Sequence, residues 1–448
     1  MTKLFSEFPP VSTQQWEEKI LKDLQLSSIS ELFWHTPEHL DIRPFYTHEH
    51  LQNIHVYPAS THHQWDIVQY IPISQLSEEE LNEQAIKSLN SGASGLSFDY
   101  YSNKNFSKIL HNISLPHIYS NFQISFDNLH ILEHLYNTYH SVNEYTKKKN
   151  CFINIDPIFL FEKFGEWHQH KDKDFLILNE LNHIPVNATL YKESGAHTIQ
   201  ELAYTLAHLN EYLYFLENKK QLHRYSYIHI QVSIGPAFFT EIAKLRALRI
   251  LISHLLAEYH HTAKLHIHTQ TTLLNKTYLD IYNNLIRTTT EAMSAIFGGA
   301  NSISILPFDF PFEKISDFSL RMARNQLIIM REESYLQKTA DVALGNFYIE
   351  NYTNLLTQKA YQKFLEIEKQ NGLIHLLEQN YIQKEIQDSF EEQLKQYIKQ
   401  KHLLIGVNKY PPPQQEKKAS FFYHTTAPSS PLALIPKRYA EYFEKQLY

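Results

Sequence analysis

Eight short runs rich in Ile, Val, Phe and Tyr recur through the middle of this chain, and a stretch of helical periodicity follows each one. They are Trp65–Ile71, Gly95–Tyr100, Ile118–Ser125, Cys151–Asp156, Val186–Tyr191, Tyr227–Ile234, Lys264–Gln270 and Ser302–Pro307. Strands separated by helical crossovers pair in parallel and need cover on both faces. Eight such units predict an α/β fold of the (β/α)8 TIM-barrel type, with an open doubly wound sheet as the competitor. The 448 residues leave room for one barrel and flanking segments.

Local signals support the helices. Ser77 precedes Glu78, Glu79 and Glu80, an N-cap with carboxylates in the first turn. A helix near Thr198 carries Leu202, Leu206, Leu209 and Leu213 at helical spacing. Another follows Gly235-Pro236, with the proline expected in the first turn. Residues 1–64 read as an N-terminal arm with an amphipathic helix at Thr13–Leu24 and a turn at Arg43-Pro-Phe-Tyr46. Residues 65–402 read as the barrel, including helical stretches near 316–335, 354–370 and 371–401. Residues 403–448, broken by Pro411 to Pro413, read as an extended strap.

Composition narrows the function. Lys and Arg number 41 against 48 Asp and Glu, a net charge of −7 without a basic block, which argues against nucleic acid. No apolar run is long enough to cross a membrane. The opening segment lacks a basic start followed by an apolar core, so no secretory leader is expected. Cys151 is the one cysteine, which excludes an internal disulfide and suits a cytoplasmic setting. Neither GxGxxG nor GxxxxGK[ST] occurs. Among 27 histidines, His266 and His268 alternate along one strand and share a face with Gln270; a metal would need a third ligand, and none is expected.

A series of ordered motifs goes further. It includes Leu4-Phe-Ser-Glu-Phe-Pro-Pro-Val-Ser-Thr13, Trp65-Asp-Ile67, Tyr191-Lys-Glu-Ser-Gly-Ala196, Glu241-Ile-Ala-Lys-Leu-Arg246, His268-Thr-Gln-Thr271 and the run from Asn283 to Glu350. Together they resemble the acyl-CoA mutase barrel of the adenosylcobalamin-dependent methylmalonyl-CoA mutase family. The opening run, the Trp-Asp-Ile segment and Leu306-Pro-Phe-Asp309 resemble its small, non-catalytic subunit.

The resemblance implies a degraded pocket and no catalytic residue. Catalytic members place a histidine on the fifth strand to hydrogen-bond the thioester carbonyl; here that slot is Leu190, which has no donor. Their first-strand Trp-x-Ile-Arg-Gln-Tyr reads Trp65-Asp-Ile-Val-Gln-Tyr70, so Gln69 and Tyr70 match and the arginine is Val68. Tyr70 is either a retained substrate wedge or an aromatic at a barrel mouth. On strand eight, Gln-Ser-Leu-His-Thr-Asn becomes Asn301-Ser-Ile-Ser-Ile-Leu306, with Ser304 in the histidine slot. His268 and Gln270 match a substrate-contacting His-x-Gln and are expected to be buried and hydrogen-bonded here. Arg287 reads as a structural arginine beside threonines, and Arg321 and Arg324 as one helix face available for intersubunit pairs or for solvent.

The family's cobalt-ligating Asp-x-His-x-x-Gly does not occur in this sequence. The resemblance therefore implies that adenosylcobalamin is held by a large catalytic partner and not by this chain, which alone is expected to be inactive. The arm of residues 1–64, through its helix Thr13–Leu24, and the strap are the expected interface with that partner. A homodimer is the expectation for the chain by itself. Two alternatives stay open: an acyl-CoA mutase barrel working with a cobalamin-binding domain on a separate chain, and a non-catalytic acyl-CoA-binding barrel.

Overall fold

The computed structural model describes residues 10–51, 64–71, 73, 76–100, 104–126, 129, 151–310, 312, 315–412 and 430–446. Eight parallel strands form one sheet: β1 (Asp66–Ile71), β2 (Gly95–Tyr100), β3 (Tyr119–Ile124), β4 (Cys151–Asn154), β5 (Ile184–Asn187), β6 (Tyr227–Ile234), β7 (Lys264–Thr271) and β8 (Ser302–Ser304). Their order is β4-β3-β2-β1-β8-β7-β6-β5, a nearly closed (β/α)8 barrel. The first and last strands pair, with Ser302 opposite Asp66 and Ser304 opposite Val68.

The seam between β4 and β5 carries no ladder. Other bonds cross it: the buried Asp156 carboxylate accepts from the Asn187 amide at 2.6 Å, and His183 Nε2 lies 3.3 Å from Asn154 Oδ1. Many outward positions of the strands are apolar, as in Ile228, Ile230, Val232 and Ile234, and these pack under the helices in one large core. This follows from the strand period of two.

The helices used below are α1 (Thr13–Leu24), α2 (Glu78–Asn90), α3 (Pro157–Phe164), α4 (Thr189–Glu193), α5 (Thr198–Asn218), α6 (Phe238–Glu258), α7 (Asn283–Phe297), α8 (Asp317–Ile328), α9 (Phe347–Lys369), α10 (Tyr381–Ile398) and α11 (Ala440–Lys445). Ser77 caps α2 by a reciprocal capping box with Glu80. His197 does the same for α5 with Gln200.

Four expectations are corrected. The fifth strand stops at Asn187, because the Asn187 side-chain oxygen accepts from both the amide and the hydroxyl of Thr189 and turns the chain into α4. Leu190 therefore sits on a helix after the strand. Pro236 lies ahead of α6, whose N-cap is Ala237. The expected stretch 354–370 begins earlier, at Phe347, because the Asn346 side chain accepts from the Tyr348 and Ile349 amides. The stretch 371–401 is split into Gly372–Glu378 and α10, with Asn380 in the left-handed region at φ 59° between them.

Helix α1 falls where its periodicity placed it, and none of its residues is buried. Trp16 stacks on Phe45 at 4.6 Å, and Arg43 pairs with Glu17 at 2.6 Å. Residues 36–42 reach the barrel: Glu38 accepts from the Thr198 amide at the start of α5, and Leu40 and Ile42 join the main core.

The described part of the strap crosses the open seam. Ser430 Oγ donates to the Gly165 carbonyl beyond α3, the Leu434 amide to Glu162, the Lys437 amide to Glu193 on α4, and the Tyr439 amide to Leu274 after β7. Its end is pinned by the buried Glu444, which accepts from Thr277 Oγ1 at 2.8 Å, from the Tyr278 amide at 3.2 Å and from the Arg438 guanidinium at 2.8 Å.

Candidate functional site: a filled barrel bore

Strand register decides which side chains enter the bore. Val68, Gly95 and Tyr119 are neighbours across three strands; so are Tyr70, Ser97 and Asn121. His229 lies opposite His266, and Gln231 opposite His268. Bulky and polar groups thus occupy the inner positions, where large side chains from several strands must fill one narrow cylinder.

The inner positions are packed by aromatic stacking and by a directed chain of hydrogen bonds. Phe152 stacks on the His229 ring at 4.1 Å, and Tyr119 lies over His266 at 5.1 Å and His268 at 5.6 Å. Val68 packs against Tyr119 and Phe152. Asn154 Oδ1 can only accept, so His229 Nδ1, 3.0 Å away, donates to it. His229 Nε2 is then the acceptor for the Tyr119 hydroxyl at 2.9 Å. The Asn154 amide donates onward to Asn121 at 2.6 Å, and Asn121 to Gln231 at 3.0 Å. On the other wall, Ser302 Oγ lies 2.9 Å from His266 Nε2 and 2.8 Å from His268 Nδ1, and Ser304 Oγ lies 3.2 Å from His268 Nε2.

Burial governs the electrostatics here. It pushes the His183 and His268 imidazoles down to about 3. His229 and His266 are also driven well below the ordinary range, by burial first and by the neighbouring imidazoles second. All four are neutral at pH 7. Both ring nitrogens of His229 and of His268 are engaged in hydrogen bonds. Among the described residues no group of three or more His, Cys, Asp or Glu side chains is placed to hold a metal.

At the mouth, the Tyr70 hydroxyl donates to Asp99 Oδ2 at 3.2 Å, and Phe310 meets the Tyr70 ring edge-on at 5.9 Å. Burial raises the Asp99 carboxyl above its usual range, against the pull of the Lys163 charge and the Tyr70 bond. Gly235, beyond β6, leaves room for a buried ionic quartet. A Cβ there would meet Glu241 Oε1 and Lys192 Cε, both at 2.9 Å. Lys192 and Lys244 hold Glu241 at 3.1 and 2.6 Å, and Lys244 holds Glu201 at 2.9 Å.

The residues singled out in the sequence separate into four places. Val68, Tyr70, His268, Gln270 and Ser304 share the bore, with Gln270 half-buried toward the mouth. Leu190 is buried at the rim on α4. Gln69 and Asn301 lie elsewhere. Gln69 faces outward and accepts from Arg324 of α8 at 3.0 Å, so Arg324 is a buried tie and not part of an exposed face. Asn301 precedes β8 at the opposite end from the mouth, accepting from Arg249 at 2.8 Å and from the Ile267 amide at 2.9 Å. Arg287 donates to Asn284 and to the Ile405 carbonyl.

The bore-filling residues Tyr119, Phe152, His183 and His229 were not singled out. Their signal is alternation: Tyr119-x-Asn-x-Gln123 and His229-x-Gln-x-Ser233 place a ring and then amides or hydroxyls on one side.

Fold and bore together define a (β/α)8 barrel with stacked rings and hydrogen-bonded amides on its inner face. Residues 161–428 match the family model described as methylmalonyl-CoA mutase. The chain is 32% identical over 442 residues to the methylmalonyl-CoA mutase small subunit of Porphyromonas gingivalis, covering 91% of this chain and 71% of that protein. It is 26% identical over 463 residues to the mitochondrial methylmalonyl-CoA mutase of Mus musculus, and 25% identical over 470 residues to the methylmalonyl-CoA mutase large subunit of Streptomyces virginiae. It spans 60% and 62% of those two proteins. The chain belongs to the methylmalonyl-CoA mutase family.

Proposed function

We propose that this chain is the small, non-catalytic subunit of a heterodimeric, adenosylcobalamin-dependent mutase that interconverts methylmalonyl-CoA and succinyl-CoA. The large subunit holds the cofactor and carries out the isomerisation; this chain stabilises it. The cytoplasm is the proposed compartment. Among the described residues no helix is long and apolar enough to cross a membrane.

The filled bore is the observation that carries this reading. A ligand pocket in a barrel needs several hundred cubic ångströms of open, shaped space. Here Phe152, Tyr119 and four imidazoles crowd the axis: Tyr119, His229 and Asn154 are joined by hydrogen bonds, and His266 and His268 are tied to Ser302. The loss of a donor at Leu190 and of a cation at Val68 points the same way. A mutase barrel working with a separate cobalamin chain, or a barrel that merely stores acyl-CoA, requires the space that these rings fill. Titration calorimetry of the isolated chain with methylmalonyl-CoA and succinyl-CoA tests the reading. No heat of binding is expected up to millimolar ligand, whereas stoichiometric binding in the micromolar range would favour an acyl-CoA-binding barrel.

A further inference from the structure

On the outside of the barrel, helices α5, α6 and α9 leave a cleft of about 540 Å³. We propose that this cleft binds an uncharged, largely apolar small molecule with a single hydrogen-bonding head. Its volume lies within the range of about 300–1,000 Å³ that small-molecule sites occupy. Leu206, Leu251, Leu255 and Phe364 line it, all of them buried, and Tyr361 lines it from an exposed position.

Thr353 gives the cleft a buried polar group. It is 98% buried, being 2% exposed, and its Oγ1 has no hydrogen-bond partner among the described residues. A helical threonine ordinarily satisfies itself on the carbonyl one turn back. Thr357 does this, donating to the Thr353 carbonyl at 2.8 Å; Thr353 does not. A buried hydroxyl left unpaired is destabilising, and a ligand's donor or acceptor would offset that loss.

Charge selects the ligand class. No Lys or Arg lines the cleft, whereas Glu258, Glu350 and His254 do. Glu350 is already held by Arg246 at 2.6 Å and by the Gly345 amide at 2.9 Å. Phosphates and carboxylates find no counter-charge among these residues, so the site does not suit an acyl-CoA, and it is separate from the bore.

N-phenyl-1-naphthylamine, uncharged and apolar with one N–H, is the probe. Titrated into the full chain, it should give a saturable, one-site rise in fluorescence, and its anionic sulfonate analogue should bind at least about tenfold more weakly. Thr353→Val should weaken binding roughly fivefold, the value of one ordinary hydrogen bond. Thr357→Trp, which fills the cleft, should abolish it; Gln358→Trp, from an exposed lining position, serves if the first variant does not fold. The proposal is overturned by the absence of saturable binding, by binding that the folded tryptophan variant leaves unchanged, or by a signal that falls as the chain self-associates, which would mark the cleft as the seat of a second copy.

Discussion

His229 holds one proton and has no favourable place for a second charge. Its donor faces Asn154, its acceptor faces the Tyr119 hydroxyl, and three more imidazoles lie around the same bore. The folded chain keeps these rings neutral, while the unfolded chain binds protons below about pH 6.5. The unfolded state then carries more protons, so this contribution to stability is complete above pH 6.5 and is lost as pH falls below it, for His183 and His268 down to about pH 3. Buried carboxylates such as Glu162 and Glu193, raised by burial, act in the opposite sense. The test is therefore a difference. Between pH 7 and 5 the unfolding free energy of the native chain should fall more steeply than that of His268→Gln, by up to about 1.4 kcal/mol per pH unit. Parallel slopes in urea titrations would contradict a neutral, buried His268. Packing at the same scale predicts that Phe152→Ala costs about 3–5 kcal/mol, because the vacated space lies between stacked rings that cannot collapse into it. A change below about 1 kcal/mol in urea unfolding would show the bore to be loosely filled.

Among the elements, the strap has the most distinctive task. Strands β4 and β5 do not pair, and residues 430–446 bond to the segments following both. Glu444 anchors this segment beyond β7. Glu444→Ala leaves Arg438 without that carboxylate in a largely buried setting. It should cost about 3–5 kcal/mol in urea unfolding and expose the chain's end to limited proteolysis. An unchanged digestion pattern and midpoint would contradict a suturing role. The eight strands and the α1 helix were legible in the sequence because alternation and helical spacing are local. The end of β5 was not, since the bonds that Asn187 makes to Thr189 and Asp156 decide it. The outward placing of Gln69 was missed for a similar reason: motif matching treated Val68, Gln69 and Tyr70 as one pocket wall, although neighbours on a strand face opposite sides. Asn301 shows the same limit. A motif slot fixes a position along the chain, while register fixes which end of the barrel it occupies.

At the scale of the molecule, the described residues form a nearly closed barrel with an arm and a strap laid over it. Residues 36–42 of the arm belong to the packed body, whereas α1 contributes no buried residue. A truncation meant to test the arm as an interface therefore belongs before Thr36. Removing residues 1–33 should leave the urea midpoint nearly unchanged while preventing assembly with the large subunit, and a truncated chain that still co-elutes would remove that role. The central claim is that this chain supports a partner's chemistry and performs none of its own. Co-expression with the long, cobalamin-binding mutase chain of the same source, followed by size exclusion and a mutase assay on the co-eluting peak, tests it most directly. The account predicts a one-to-one complex whose turnover is unchanged by Tyr70→Phe in this chain. Failure to form a complex, or turnover that disappears with that substitution, would contradict it.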